Sequence, residues 1–333
     1  MKEDIILKKP FEFLSTWRSL PPYELVSYIL MYASVPMLAY GIKTYNLEII
    51  KIIVLTILTM YSGFFAALIW NDITDMDIDA IVHPDRPVPS GRISPRMFFG
   101  IALIFSAMTF IFALLISLWC LALVGLAALF VVFHNKYLKK IVKIPAYSEI
   151  FTPIQWVVVA IFGFLAIWTA LPPTGSINLT MPILDYISFN VYDFQNMVLL
   201  VLFTYFADNA HDLPEGIHDA EGDRKLGVRT YATSFGEKNA ARISFAMFFV
   251  SGILGIILYF RTTLSLTFLV PFLMLWMYML YWSYKMLKAD KKDMRKLGSV
   301  VGRKGFDYFL ISYGLIFLDL IIQLVLRNFN ITF

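Results

Sequence analysis

This chain is short of charge and nearly without cysteine. Only 16% of its 333 residues are Asp, Glu, Lys or Arg. So sparse a charge set does not suit the water-facing surface of a soluble globular domain, and that class is excluded. The one cysteine, Cys120, stands in an apolar run, which rules out an internal disulfide. Histidine is scarce as well, and His211 and His218 are spaced too irregularly to read as a zinc motif. The N-terminus carries no cleavable signal pattern. A net charge of +4 is too small to point to nucleic acid, and no such partner is expected.

Apolar sequence is what the chain has in abundance: 59% of it is hydrophobic, with a mean hydropathy of +0.70. Runs near the length of a bilayer crossing recur at 23–42, 50–71, 96–116, 118–135, 151–171, 195–211, 241–260, 264–284 and 306–327. The expected fold is all-α: a polytopic membrane protein of about nine transmembrane helices in one bundle. Residues 1–22 mix Lys2, Lys8, Lys9 and Arg18 with Phe11, Phe13, Leu14, Trp17 and Leu20, and read as an interfacial segment. Basic residues are missing from one side. With the N-terminus inside, 24 of the 28 Lys and Arg fall in inner segments, and only Lys43, Lys51, Arg261 and Arg327 lie outside. That asymmetry predicts a cytoplasmic N-terminus. The segment 172–193 becomes an outside loop with no legible chemistry.

The few acids are concentrated. Asn71 to Asp79 reads Asn-Asp-Ile-Thr-Asp-Met-Asp-Ile-Asp and closes the second apolar run. Carboxylates at the mouth of a membrane helix are costly unless they serve a function. At 100° per residue, Asp72, Asp75 and Asp79 fall within a ~60° arc while Asp77 faces the other way. Three like charges on one face repel. A hard dication relieves that repulsion, and Mg²⁺ favours a few carboxylates together with phosphate oxygens. A second acidic stretch runs from Asp208 to Asp223 and is followed at once by Arg224, Lys225 and Arg229. Asp219 and Asp223 are one turn apart. Asp75 and Asp223 lie 148 residues apart, each near the end of an even-numbered run. The pattern reads as two related halves, about 23–140 and 150–305, with a last helix at 306–327.

Cations accompany both stretches. Arg86 sits in the proline-rich loop His83 to Ser94, and Lys139 and Lys140 follow the fourth run. Carboxylates holding Mg²⁺, Mg²⁺ holding a diphosphate, and Lys or Arg taking the remaining charge is the arrangement that ionisation of an allylic diphosphate requires. Ser94-Pro95 should cap the third span. His134, at a cytoplasmic helix end, reads as a proton acceptor or a plain interfacial residue. Asp319, near the middle of the last span, either lines a chamber or hydrogen-bonds a neighbouring helix.

Together, Asn71-Asp72-x-x-Asp75-x-x-x-Asp79 followed by Arg86-Pro-x-Pro-Ser-Gly91, and Asp219-x-x-Gly-Asp223-Arg-Lys-x-Gly227-x-x-Thr230, resemble the two signatures of the UbiA superfamily of intramembrane prenyltransferases. The resemblance implies a nine-helix bundle with a central cavity open to lipid. It implies Mg²⁺-dependent transfer from a prenyl diphosphate to a lipophilic acceptor, either an isoprenoid glycerol phosphate or a quinone-precursor aromatic. Asn71, Asp72, Asp75, Asp79, Asp219 and Asp223 would hold the Mg²⁺–diphosphate, and Arg86 and Lys139 would contact the diphosphate. The chain departs from the family in two places. His134 and Asn135 stand where a tyrosine is common, and Gly216, beside Glu215, stands where many members carry an aspartate.

Two other classes fit parts of the pattern. A terpene cyclase or diphosphatase on the same scaffold would quench the cation internally or with water. A transporter would also show duplicated halves, but with charges at the centres of its spans. Here the acids lie at cytoplasmic ends, which favours the enzyme.

Overall fold

Ser94 and Pro95 open a helix as their order dictates. Ser94 Oγ accepts from the Met97 amide at 3.3 Å, and Pro95 occupies the first turn, where a missing N–H is no loss. Ser117 ends the same helix and starts the next, with its Oγ accepting from the Cys120 amide at 3.1 Å. The third and fourth apolar runs are thus joined through a single residue. The computed structural model describes residues 21–74, 76–77, 80, 84, 86–138 and 143–328. The interfacial segment expected at 1–22 lies almost wholly outside the described residues.

In chain order the elements are α1 (Pro22–Tyr40), α2 (Leu47–Thr74), α3 (Pro95–Ile116), α4 (Leu118–Phe133), a π-helical turn (His134–Leu138), α5 (Tyr147–Phe151) and α6 (Ile154–Ala170). A hairpin of β1 (Ile177–Met181) and β2 (Asp185–Phe189) leads to α7 (Val191–Leu226), α8 (Tyr231–Phe235), α9 (Glu237–Arg261), α10 (Leu266–Lys288) and α11 (Lys291–Asn328). Among the described residues each apolar run of the sequence lies on a helix. Among the described residues six helical segments are long and apolar enough to cross a membrane: α2, α3, Tyr147–Ala170, α9, α10 and α11. α4 is apolar but only 16 residues long, while α1 and α7 carry more polar side chains.

The expectation of helix alone misses the hairpin. Segment 172–193 contains two antiparallel strands, with Ile177 opposite Phe189 and Met181 opposite Asp185. It rests on the ends of α4 and α6: Trp119 Nε1 donates to the Asp185 carbonyl at 3.3 Å, and Phe189 stacks on Trp168 at 4.9 Å.

The largest difference from expectation is the length of α7. The sixth apolar run ends at 211, yet the helix runs on through Pro214, Gly216 and Gly222 to Leu226. Proline at 214 leaves the Ala210 carbonyl without its helical donor. Ser244 Oγ from α9 donates to that carbonyl at 2.8 Å, so the helix continues. Gly227, at φ 71° and ψ 18°, finally stops it in the left-handed conformation that glycine adopts without strain.

α11 backs onto this part of α7. A β-carbon at Gly298 would lie 2.5 Å from the Pro214 carbonyl oxygen, one at Gly305 would lie 2.6 Å from His211 Cβ, and one at Gly302 would collide with the Glu215 side chain. Glycine at three positions of one helix face is what lets the two backbones approach. Beside them stands an aromatic core. Tyr28 lies 4.6 Å from Phe64 and 5.7 Å from Trp156, and Trp156 lies 5.5 Å from Phe309. Asp319 belongs to the packing. It is fully buried, accepts from the Ser265 amide at 3.1 Å and from the Ser265 hydroxyl, and is held by Gln323 Nε2 at 2.6 Å. It anchors the residue that caps α10.

Candidate active site

The last turn of α2 delivers Asn71 and Asp72. Asp72 is buried and Asp77 is exposed, the division that helical spacing predicts. Asp72 Oδ1 accepts from Arg86 Nη1 at 3.4 Å. Arg86 is held in a shaped loop: its carbonyl accepts from the Ser90 amide at 3.0 Å, Val88 O accepts from Gly91 N at 3.0 Å, and Pro87 O accepts from Ile93 N at 3.1 Å. Asp75, Asp79, Lys139 and Lys140 lie outside the described residues.

The other acid-bearing stretch is the far end of α7. Asp208, Asp212, Glu215, Asp219 and Asp223 share a ~80° arc of that helix, so the acidic face extends well inward of the two residues singled out by motif. Burial pushes the Asp223 carboxyl up to about 6, and the neighbouring Asp219 charge adds to the rise. Asp219 is exposed and opens the face to solvent.

Glu149, from the five-residue helix α5, enters the same face. Its side chain is buried, one oxygen accepts from the Tyr231 amide, and the other lies where a side chain at residue 216 would stand. Sequence reasoning missed Glu149, because nothing in the spacing of a short helix 67 residues upstream of Gly216 points to this face. Asp208 and Asp212 were legible in principle, as helical repeats running inward from Asp219.

The basic residues divide. Arg224 bonds Glu237 at 3.2 Å and Lys225 pairs with Glu221 at 3.9 Å. Arg295 reaches both acids, Glu221 at 2.8 Å and Glu237 at 2.9 Å. This network ties the end of α7 to α9 and α11, and it turns Arg224 toward Glu237. His134 opens the π-helical turn after α4. Its Nδ1 lies 2.9 Å from Tyr147 Oη, and the two rings stack at 5.4 Å with 16° between their planes. α5 thus brings Tyr147 against His134 in space.

Asn71, Asp72, Asp219 and Asp223 each offer an oxygen donor, the type a hard cation such as Mg²⁺ prefers.

Comparison with known proteins concerns the family and the fold. The model of the UbiA prenyltransferase family matches residues 29–299. The chain is 29% identical over 171 residues to digeranylgeranylglyceryl phosphate synthase of Sulfolobus acidocaldarius, covering 51% of this chain and 52% of that protein. The namesake of Methanosphaera stadtmanae is 23% identical over 265 residues, covering 80% and 86%. The chain spans about half the length of the first curated relatives it matches. Among solved structures, one concerned with digeranylgeranylglyceryl phosphate synthase in membranes superposes with a TM-score of 0.62 at 19% identity, over 95% of this chain and 99% of that one. A UbiA homologue of Archaeoglobus fulgidus bound to DMAPP and Mg²⁺ gives 0.57 at 16% identity, over 91% and 99%. At these identities the likeness is one of fold.

Proposed function

The chain belongs to the UbiA prenyltransferase family, and from that premise we propose that it transfers a prenyl group from a prenyl diphosphate to a lipophilic acceptor, releasing diphosphate. The observation that carries the reading is the pair of acid-bearing helix ends: Asn71 and Asp72 with Arg86 on one, Asp219 and Asp223 on the other. The favoured acceptor is an isoprenoid glycerol phosphate rather than a quinone-precursor aromatic, because the curated relatives are named for digeranylgeranylglyceryl phosphate.

Asn71, Asp72, Asp75, Asp79, Asp219 and Asp223 would hold Mg²⁺. When bound, Mg²⁺ supplies positive charge to the departing diphosphate. Arg86 would bind a diphosphate oxygen beside Asp72, with Lys139 and Lys140 adding charge from the loop after α4. The rings of Tyr28, Phe64 and Trp156 would offer electron-rich faces to an allylic cation held beside them, each worth ~0.5–2 kcal/mol. His134, oriented by Tyr147, is the candidate acceptor of the acceptor hydroxyl's proton. The accompanying architecture is a nine-span bundle with a cytoplasmic N-terminus, a cavity open to lipid and the active site facing the cytoplasm, as the 24-to-4 split of basic residues favours.

The test is incubation of purified protein with geranylgeranyl diphosphate, Mg²⁺ and either geranylgeranylglyceryl phosphate or a quinone-precursor aromatic, read by mass spectrometry. A diprenylated glycerol phosphate is expected. Free prenyl alcohol or a cyclised hydrocarbon, with no adduct of either acceptor, would overturn the reading in favour of a diphosphatase or cyclase.

A further inference from the structure

Inward of Asp219 the acidic face of α7 holds a group that the prenyl-transfer reading does not use. His211 is buried, with Phe306 edge-on at 5.0 Å and Gly305 of α11 against its β-carbon. Its Nε2 lies 3.0 Å from Asp208 Oδ1. Its Nδ1 has no hydrogen-bond partner and points toward Asp212 Oδ1 at 3.5 Å and Glu215 Oε1 at 4.0 Å. The three donor atoms of His211, Asp212 and Glu215 all lie within 4.8 Å of one another.

The surroundings are unbalanced. Asp208 Oδ2, Asp212 Oδ2 and Glu149 Oε1 are buried and likewise lack hydrogen-bond partners. Among the described residues no lysine or arginine pairs with Glu149, Asp208, Asp212 or Glu215. Three carboxyl groups thus converge on one imidazole, with the Glu149 carboxyl beside Gly216 on the same face. Buried orphan oxygens and unpaired charge are costly, and they are rare without a bound water or ion to satisfy them.

We propose that His211 Nδ1, Asp212 and Glu215 form a divalent transition-metal site, distinct from the Mg²⁺ site formed with Asp219 and Asp223. Asp208 acts behind the histidine. By engaging Nε2 it leaves Nδ1 as the ligand, the carboxylate–histidine–metal relay common at such centres. One imidazole nitrogen with two carboxylate oxygens suits Zn²⁺ or Mn²⁺, whereas Mg²⁺ favours oxygen alone. Glu215 is half-exposed, so the site has an entry path from solvent, while His211 forms its closed end. The pinned ring and the glycine-permitted contact with α11 keep the ligands in place before metal arrives.

The experiment uses the full chain, purified in detergent and stripped with a chelator. Co²⁺ is titrated in the absence of Mg²⁺ and diphosphate, following its visible absorption and the bound metal per protein. One equivalent with nitrogen-containing ligand-field bands is expected in the wild type. The paired change Asp219→Asn with Asp223→Asn should keep it. His211→Gln should abolish those bands, and Asp208→Asn should weaken binding by ~10–100-fold. Zn²⁺ should raise the melting temperature of the wild type and leave that of His211→Gln unmoved. If His211→Gln does not fold, Glu215→Gln, at a half-exposed position, gives the same reading through loss of affinity. Wild-type Co²⁺ spectra in either His211→Gln or Glu215→Gln would overturn the proposal, as would the absence of any binding by the wild type, which would leave His211 as a salt-bridged imidazolium. None of these readings depends on prenyl transfer.

Discussion

The carboxyl group of Glu149 occupies the space beside Gly216 that any side chain there would need. The acidic face of α7 is therefore completed from another helix. Gly216→Asp should lower the melting temperature of purified protein, since overpacking costs ~1–3 kcal/mol and a like charge is added. Glu149→Ala alone should also destabilise, because it leaves the Tyr231 amide unsatisfied at a cost of ~1–3 kcal/mol. Combined, the two changes should cost clearly less than their sum, because each makes room for the other. Additive melting shifts would show that the two positions do not share one space.

Asp223 should make metal binding sensitive to pH. Its carboxyl is raised from the usual 3.8 to about 6, so it holds a proton below about pH 6 when no cation is present. Apparent Mg²⁺ affinity should therefore be level above about pH 6 and fall by roughly tenfold per unit below it. The stability of the metal-free protein should move the other way. The folded state binds more protons than the unfolded state between about pH 4 and pH 6, so stability rises as pH falls through that window. Asp223→Asn should flatten both profiles. Titration of Mg²⁺ against pH, with melting curves of the metal-free protein, checks both signs.

Asp72→Asn and Asp77→Asn form a matched pair around the end of α2. Asp72 is buried beside Arg86 and Asp77 is exposed. Losing a group that stabilises developing charge typically lowers kcat by ~10²-fold or more, and Asp72→Asn should do so. Asp77→Asn should leave kcat within about twofold, as surface changes away from a site usually do. Equal damage from both would refute the assignment of one helix face to the chemistry.

Asp319 is a positional anchor rather than a reacting group. Asp319→Ala removes the partner of the Ser265 amide and hydroxyl, and should lower stability by ~1–3 kcal/mol. The fraction that stays folded should keep its Mg²⁺ dependence and its KM. Thermal unfolding and initial rates measured on the same samples separate the two roles, and a lost Mg²⁺ response at unchanged stability would place Asp319 in the site.

What the sequence made legible follows from the range of the interactions involved. Spans are announced by local hydropathy, and the faces of α2 and α7 by helical spacing, so Asp72 and Asp77 fall on opposite sides as expected. The length of α7 was hidden because Pro214 is a local breaker whose remedy, Ser244, lies on another helix. Glu149 and Tyr147 were hidden for a similar reason. Their helix is five residues long, too short for periodicity to mark a face, and their partners are set by packing alone. His211 was set aside because its spacing to His218 fits no zinc motif, whereas its neighbours in space are carboxylates one residue and one turn away.

The three glycines of α11 also set an order of events during synthesis. Gly298 emerges 84 residues after Pro214, the position it packs against. At common rates of translation that gap lasts roughly 4–17 s. Throughout it α7 stands with its carboxylates in place and the back of the same segment uncovered. The acidic face is thus assembled in two instalments, and the second is delivered by a helix that carries none of the proposed metal ligands.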